Sequence, residues 1–569
     1  MNATIEALEA RIAPAGVTIV HNTASWTDYD GDHVRLTWTG DTAFLHRQDT
    51  APVFQYFTPA NAVAGGILIS EITFANAYDN ITVSVSRPTR GNLGNDHVDL
   101  GYINAAGIPL SSFNAPQASV LEFDCGASTG PGAATAIGSL TLGAYGTVSP
   151  ENFTSNLDPA GPTGTDGTGV FYGNVGKVRI LGNIEYGTLQ LGINGSTIGN
   201  VTIGGSLLGN ANTGSNGGVL DVIGKAGIIT IGKNIVGLGP ATSINGALLL
   251  EGTVARVNIG GDIIGGTASG SGIVEISGDA VPTSVGIFEV GGSIVGGAGL
   301  NSGQIELPHI GTLIVGRNVI GGTGDGSGEV SLETGSIIDI AGSLIGGAVN
   351  TGATLYGTGI INVDGDINTI EIGHNIQAGS ITGSGSVKYS GAITVDGALS
   401  KLTVSGDILG TNSQRVYILA QGDPPAVSGP FNAIHSITIK GDLDYGIIES
   451  GQASGATIGA AEQPDAGIGS VSVGGDYFHS SLMAGINDNA SSGGFPDGVD
   501  ANDTDSGAGV LGPVVIHGSI LDDPSAGGYS GFEAFTIDSI SSDGVLRFTH
   551  GGAIPILDPN NFVLVREFS

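Results

Sequence analysis

The sequence predicts an all-β protein: a parallel β-solenoid (β-helix) rod with an N-terminal β-sandwich-like domain and a C-terminal β cap. Three observations lead to this fold class. The 569 residues include 101 glycines, and only 12% are charged, which is typical of a repetitive chain and unlike ordinary globular usage. A short phrase, VARVNIGGDIIGG at 254–266, returns with small changes along most of the chain. Each copy has the apolar-x-apolar alternation of a strand with one buried face.

The repeat keeps one register through the chain. Clear copies are IGNVTIGGSLLGN at 198–210, VGIFEVGGSIVGG at 285–297 and LSKLTVSGDILGT at 399–411, with weaker copies at 175–187 and 511–523. Steps between equivalent residues run from 25 to 35, a period typical of solenoids, propellers and arrays. The equivalent residues are Ile203, Ile231, Ile259, Val290, Val315, Ile340, Ile372, Val404, Ile439 and Val473.

Each repeat contains three short strand-like segments. The first is followed by a glycine pair, which allows a sharp turn, and then by a short second segment. A Gly/Ser-rich connection leads to the third segment, as in SGIVEIS at 271–277 and SGAITV at 390–395. Three strands in roughly 30 residues fit one coil of a parallel solenoid better than a propeller blade of about 40 residues. We therefore expect coils that stack about 4.8 Å apart.

A short polar residue follows the glycine pair in every copy. Stacked coils would place these side chains above one another, where they can form a hydrogen-bonded ladder or act only as repeated turn residues. The carboxylates of Asp407, Asp442 and Asp476 would repel one another unless they are solvated or bridged by a cation. The predicted ladder consists of Asn234, Asp262, Asn318, Asn375, Asp407, Asp442 and Asp476.

Two acidic stretches are candidate Ca²⁺ sites, which makes Ca²⁺ the candidate cofactor. In TDYDGDHVRLTW, Asp28, Asp30 and Asp32 alternate around Gly31 ahead of a strand, an arrangement of oxygen ligands that suits Ca²⁺. No Glu closes a twelve-residue calcium loop, so a tight acidic turn is the alternative. The stretch at 485–507 is predicted to be a long surface loop, either calcium-binding or solvated and disordered. Its candidate ligands are Asp497, Asp500, Asp503 and Asp505.

Changes in composition divide the chain into five segments. Residues 1–16 are interpreted as a leader or assembly segment, and 17–130, which hold both tryptophans, as a separate β domain. Solenoid repeats follow at 131–480, an Asp/Asn/Gly-rich loop at 481–510, and the last coil with its cap at 511–569.

The ends of a solenoid predict a mode of self-assembly. Unpaired strand edges remain at both ends, and such edges pair with other chains unless they are covered. The C-terminal strand is therefore expected to pair with the edge of the next subunit. Its apolar residues are Phe562, Val563, Leu564 and Val565.

The charge of the chain excludes several partners. The formal net charge of −35 should repel phosphate backbones and anionic membranes, so a nucleic-acid partner is not expected. No stretch approaches the roughly 18 apolar residues of a membrane span. Cys125 is the single cysteine, which excludes an intrachain disulfide and a thiolate metal site.

The N-terminal region also resembles a known family. IEALEARIAPA at 5–15, with Leu8-Glu9-Ala10-Arg11, resembles the Leu-Glu-Pro-Arg (LEPR-XLL-like) motif near the start of large, repetitive, exported bacterial proteins. TDYDGDHVRLT and NDHVDLGYINAAGIPL are similar to the N-terminal region of glycine-rich β-strand-repeat surface proteins of Gram-negative bacteria. The resemblance rests on sequence motifs over residues 1–145 and only on the glycine-rich, repetitive composition over the remainder. It implies an extracellular or cell-surface location and brings no catalytic residues.

The expected function is structural. A secreted or cell-surface protein would assemble with itself, end to end, into a fibre, sheath or surface layer. The alternative is a monomeric adhesin or glycan-binding stalk whose partner is a cell-surface polysaccharide. A β-helix polysaccharide lyase or hydrolase would need carboxylates clustered on one face, whereas acids such as Glu275, Glu306 and Glu329 look dispersed in the alignment, so no enzyme is expected.

Overall fold

The computed structural model describes residues 16–40, 52–57, 67–74, 78–86, 95–127, 134–146, 168–209, 217–239, 244–276, 282–349, 354–382, 384–423, 429–452, 463–486, 507–521, 530–551 and 563–567. These residues contain strands and no helix, and the strands form a long mixed sheet. The predicted all-β class is therefore confirmed. A helix long and apolar enough to cross a bilayer is likewise absent from these ranges.

The described residues belong to two compact units. The first is drawn from Met1–Leu208, Ser215–Gly232 and Leu249–Gly252, and the second from Gly209–Gly214, Lys233–Leu248 and Thr253–Ser569.

The strands before the repeats change from antiparallel to parallel pairing. They are β1 Thr18–Val20, β2 Thr23–Thr27, β3 His33–Gly40, β4 Val53–Phe57, β5 Leu68–Thr73, β6 Tyr78–Ser86, β7 Val98–Ala106, β8 Leu110–Gly126 and β9 Thr135–Tyr145. β2 pairs antiparallel with β1 and β3, β3 with β6, and β4 with β5. β7 and β8 then pair in parallel with β5 and β6.

The first repeats continue this sheet. Their strands are β10 Thr168–Tyr172, β11 Asn174–Ile180, β12 Ile184–Glu185, β13 Thr188–Leu191, β14 Thr197–Ile198, β15 Val201–Ile203, β16 Leu207–Leu208, β17 Gly217–Ile223 and β18 Lys225–Ile231. β10 pairs in parallel with β8, and β11 with β9. These hydrogen bonds connect strands on either side of the boundary expected at residue 130.

The later repeats follow the predicted pattern of a long strand, a very short strand and a third strand that often merges with the next long one. Their strands are β19 Ile235–Val236, β20 Asn245–Glu251, β21 Thr253–Ile259, β22 Ile263–Ile264, β23 Ser271–Ile276, β24 Ser284–Val290, β25 Ile294–Val295, β26 Gln304–Val315, β27 Val319–Ile320, β28 Val330–Ile340, β29 Leu344–Ile345, β30 Ala348–Val349, β31 Thr354–Val363, β32 Ile367–Ile372, β33 Ile376–Gln377, β34 Ser380–Ile381, β35 Ser386–Val395, β36 Leu399–Val404, β37 Ile408–Leu409, β38 Val416–Ala420, β39 Phe431–Ile439, β40 Leu443–Asp444, β41 Gly446–Ser450, β42 Ala466–Ile468, β43 Val471–Val473, β44 Tyr477–Phe478, β45 Ser481–Ala484, β46 Val510–Leu511, β47 Val514–Ile516, β48 Ile520–Leu521, β49 Ser530–Ala534, β50 Thr536–Ile537, β51 Ser539–Ser542, β52 Val545–Thr549 and β53 Val563–Glu567.

Each strand of a repeat in the second unit pairs in parallel with the equivalent strand of the next repeat. β21 pairs with β24, β22 with β25, and β23 with β26. The residues aligned by sequence are direct partners in this sheet, so the predicted register is confirmed. These partners are Ile259 with Val290, Val290 with Val315, Val315 with Ile340, Ile340 with Ile372, Ile372 with Val404, Val404 with Ile439, and Ile439 with Val473.

Burial differs between the first and third strands of a repeat. In β21 the buried residues Val257 and Ile259 flank the half-buried Asn258, which is the expected alternation. In β38 all five residues are buried, as they are in β41. The expectation of one exposed face is therefore wrong for these third strands, whose near-continuous apolar sequence is typical of strands covered on both faces. An apolar cluster beside them contains Ile360, Tyr389, Ala392, Tyr417, Leu419, Ile447 and Met483.

The C-terminal strand lies in the sheet of its own chain. β53 pairs in parallel with β49, with Val563 opposite Ser530 and Leu564 opposite Gly531. Val565 is buried, and Phe562 lies outside the described residues. β51 and β52 form an antiparallel hairpin nearby in sequence. One edge of β53 is thus used within the chain, and among the described strands none pairs with its other edge.

Candidate metal centre and hydrogen-bond ladders

The turn between β2 and β3 is built by Asp28. Its Oδ1 accepts hydrogen bonds from the amides of Gly31 at 3.0 Å and Asp32 at 2.8 Å. Its own amide donates to the Asp32 carbonyl at 2.9 Å. Gly31 has φ of 107°, a conformation that side chains disfavour. The acidic sequence therefore folds as a tight turn, which is one of the two interpretations left open by the sequence.

The carboxylate of Asp32 connects this turn to the segment before β7. Its Oδ2 accepts from the amides of Asn95 at 2.9 Å, Asp96 at 2.7 Å and His97 at 3.3 Å. The Asp32 residue is fully buried. Its second oxygen, Oδ1, takes no part in these bonds.

Three carboxylate oxygens converge in the turn. The Asp28, Asp30 and Asp32 carboxylates offer oxygens that all lie within 4.8 Å of one another, and in the described part of the chain no other His, Cys, Asp or Glu trio has this geometry. Asp28 Oδ2, Asp30 Oδ1 and Asp32 Oδ1 are buried atoms without a hydrogen-bond partner. Buried polar atoms are normally paired, so a cation held by the three carboxylates would satisfy oxygens that have no hydrogen bond within the protein.

The surroundings of the turn disfavour the ionised form of its carboxyl groups. Burial, followed by the neighbouring Asp30, raises the pKa of Asp28 to about 8. Burial and then Asp30 also raise the pKa of Asp99, on β7, to about 6. Burial lowers the pKa of His97, whose Nε2 lies 2.6 Å from Ser119 Oγ. Among the ion pairs of the described residues, none joins Lys or Arg to the three aspartates.

The second predicted group of metal ligands cannot be placed beside the first. Asp497, Asp500, Asp503 and Asp505 all lie outside the described residues.

The polar residues that follow the glycine pair form a ladder in the second unit, with one hydrogen bond between each repeat and the next. In each case the side chain accepts from the backbone amide of the equivalent residue in the next repeat. Asn375 Oδ1, for example, accepts from Asp407 N at 2.9 Å, and Asp442 Oδ1 accepts from Asp476 N at 2.8 Å. The ladder runs through Asn234, Asp262, Ser293, Asn318, Ser343, Asn375, Asp407, Asp442, Asp476 and Ser519.

A second polar column was not anticipated. A Ser or Thr followed by glycine lies within the third strand or shortly before it. Ser302 Oγ, for example, accepts from Gly297 N at 3.0 Å and donates to Gly299 O at 2.8 Å. The next residue, Gly303, has φ of 64°, and a Cβ there would lie 2.0 Å from Val295 O. The recurrent Ser-Gly or Thr-Gly dipeptide near each third strand was the available sequence signal. The buried hydroxyl residues are Ser271, Ser302, Ser327, Thr358 and Ser390.

Several acids in or next to the third strands influence one another electrostatically, so the expectation that Glu275, Glu306 and Glu329 are dispersed is wrong. Burial and then Glu306 raise the pKa of Glu275 to about 7. Burial, then Glu306, Asp325 and Asp364, raise the pKa of Glu329 to about 8. The alignment separated these acids because Glu329 stands directly before β28, whereas Glu275 and Glu306 lie within β23 and β26.

Comparisons of the chain with protein-family models, curated proteins and solved structures found no match.

Proposed function

We propose that this chain is a secreted or cell-surface structural protein whose repeats form a parallel β-solenoid and whose copies join end to end into a fibre, sheath or surface layer. The observation that carries the proposal is that the repeated polar side chains form hydrogen bonds within and between repeats. The ladder side chains bond the next repeat, and the Ser/Thr hydroxyls bond the turn before the third strand. These polar groups therefore stabilise the repeat array, which is the role expected in a structural protein.

The C-terminal edge supports end-to-end assembly. β53 has one edge paired with β49 and a second edge that no described strand covers. A strand edge of this kind recruits another strand through its backbone groups. The nearby hairpin strand β52 adds exposed apolar area, since Val545 is 50% and Leu546 is 61% exposed.

Assembly is tested by comparing three forms of the full chain. Wild-type protein at increasing concentration, followed by size-exclusion chromatography and negative-stain microscopy, should form filaments or sheets. A variant lacking residues 559–569 should remain monomeric while its circular dichroism is unchanged. An Ile337→Lys variant, at an exposed apolar residue of β28 (41% exposed), is the matched control for apolar association, and it should still assemble. Wild-type protein that stays monodisperse, or assembly that survives the deletion, would refute the proposal.

The same samples test the adhesin alternative. A monodisperse wild-type chain that sediments with insoluble polysaccharide would favour a glycan-binding stalk over a self-assembling subunit. Filaments without polysaccharide binding would favour the structural proposal.

The interacting acids support a second candidate, a polysaccharide-cleaving enzyme. A carboxyl group whose pKa lies near neutrality can act as a general acid, and burial gives Glu275 and Glu329 such pKa values. Release of reducing or unsaturated ends from a polysaccharide panel should be absent in the wild-type protein under the structural proposal. Cleavage that is lost in both Glu275→Gln and Glu329→Gln would establish the enzyme instead.

A further inference from the structure

We propose that the turn between β2 and β3 binds one Ca²⁺ ion through Oδ2 of Asp28, Oδ1 of Asp30 and Oδ1 of Asp32. Asp28 is 1% and Asp32 is 0% exposed, each has one buried oxygen without a hydrogen-bond partner, and the three carboxylates bring oxygens within 4.8 Å of one another. Burying a charged oxygen without a partner is unfavourable. A single cation at the point where the three oxygens converge satisfies all of them together.

The donor set selects a hard cation. All three converging atoms are carboxylate oxygens, which suit Ca²⁺, Mg²⁺ and Mn²⁺ rather than metals that prefer sulfur or imidazole. The imidazole of His97, which follows the segment held by Asp32, has its Nε2 within hydrogen-bonding distance of Ser119 Oγ. Ca²⁺ accepts six to eight ligands in flexible geometry, whereas Mg²⁺ requires near-ideal octahedral geometry. Three aspartates on one short turn, with water completing the shell, therefore favour Ca²⁺ over Mg²⁺.

Through Asp32, a bound ion would also hold two parts of the first unit together. One oxygen of this carboxylate holds the amides of Asn95, Asp96 and His97, and the other would bind the ion. Ca²⁺ would thus fix the β2–β3 turn against the segment that leads into β7. Because a ligand that binds only the folded state stabilises it by mass action, Ca²⁺ should raise the melting temperature of the first unit.

Calcium binding is tested on the full chain by isothermal titration with CaCl₂ in 0.15 M KCl, which suppresses diffuse attraction to the acidic surface. Terbium luminescence provides a local readout, since Tyr29 lies between two ligands and can sensitise a bound lanthanide. The wild-type protein should show saturable luminescence that excess Ca²⁺ reverses and excess Mg²⁺ reverses less effectively. A variant with Asp497, Asp500, Asp503 and Asp505 changed to Asn should retain this signal.

The decisive variants change one ligand each. Asp28→Asn and Asp32→Asn should abolish the luminescence, and the half-buried Asp30→Asn, which is less disruptive to folding, should weaken Ca²⁺ binding at least tenfold. Asp339→Asn, on β28 in the second unit, is the matched control and should bind as the wild type does. No saturable binding by the wild-type chain, or unchanged affinity in a folded Asp30→Asn variant, would overturn the proposal.

Discussion

The ladder can be tested most sharply at Asp442, where the loss of a hydrogen-bond acceptor can be separated from the loss of a charge. Asp442 Oδ1 accepts from Asp476 N at 2.8 Å, while its carboxylate stands between those of Asp407 and Asp476. Asp442→Asn removes the charge and keeps an oxygen acceptor. Asp442→Ala removes both. The difference between these two variants therefore measures the acceptor alone.

The expected magnitude follows from the fate of the Asp476 amide. A part-buried donor left without its acceptor costs about 1–3 kcal/mol, so local opening around Asp476 should be at least about fivefold more frequent in the Ala variant than in the Asn variant. Hydrogen–deuterium exchange of a peptide spanning residue 476, read by mass spectrometry, measures this opening without requiring that the two units unfold together. Equal exchange in the two variants would refute the role assigned to the ladder.

The charge at Asp442 has its own expected effect. Carboxylates about 4.8 Å apart repel by roughly 0.9 kcal/mol per pair at the dielectric constant of water. Replacing the aspartate by asparagine relieves two such pairs but weakens a charge-assisted hydrogen bond by about 1 kcal/mol. Asp442→Asn should therefore be stabilising at low salt by no more than about 1 kcal/mol, and the gain should vanish at 1 M salt because screening shortens the Debye length to about 3 Å. A gain that persists at 1 M salt would show that repulsion is not its cause.

Three further outcomes are expected. The protonated Glu329 carboxyl stabilises the fold fully below its ordinary pKa of 4.5, and this stabilisation is lost as the pH rises through about 8, because the folded state holds the proton that the unfolded state releases. The free energy of unfolding in urea should therefore decrease between pH 6 and pH 9, and it should decrease less for Glu329→Gln than for wild type. The exposed control Glu333→Gln should match wild type. Gly303→Ala should destabilise the second unit by more than Gly270→Ala. Both positions have positive φ, which costs an alanine about 1–2 kcal/mol, but only a Cβ at 303 would clash with a backbone oxygen, whereas no atom lies within 4 Å of a Cβ at 270. Equal losses of stability in thermal unfolding would contradict this. Ser302→Ala should cost about 1–3 kcal/mol because Gly297 N loses its acceptor, whereas Ser302→Thr should retain most of the stability, as the natural Thr358 accepts from Gly347 N at 3.0 Å.

The register of the repeats was predictable because two local signals agree. Alternating Ile and Val define which face of the first strand is buried, and the glycine pair marks its end, so a slip by one residue would expose Ile259 and its partners. The polar residue after the pair could be assigned to a column for the same reason. Each polar side chain bonds a main-chain amide of the next repeat. This partner could not be predicted, because it depends on backbone geometry that the sequence pattern does not contain.

Other features depend on contacts that a repeat alignment does not show. The third strands β38 and β41 are buried on both faces, and nothing within VYILA or GIIES identifies the residues that pack against the second face. Glu306 raises the pKa of Glu329 from the neighbouring repeat although the two residues occupy different alignment positions. Val563–Glu567 pairs with β49 of its own chain, and an apolar sequence alone does not distinguish that edge from an edge in another subunit.

The cluster at Asp28 was half predictable. The spacing of the aspartates around Gly31 indicates a turn and a set of oxygen ligands. The role of Asp32 in holding residues 95–97 could not be read from the motif, since those amides lie 63 to 65 residues away in sequence.

The ladder has a direction along the chain. Every acceptor belongs to the earlier repeat and every donated amide to the later one, so during synthesis Asn375 is already in place when the amide of Asp407 leaves the ribosome. The repeats can therefore add one after another in the order of translation. Shortening the protein from its C-terminal end leaves a side-chain acceptor that water can satisfy. Shortening it from the other end leaves a backbone amide of the first remaining turn without its acceptor. The chain should accordingly tolerate the loss of late repeats better than the loss of early ones.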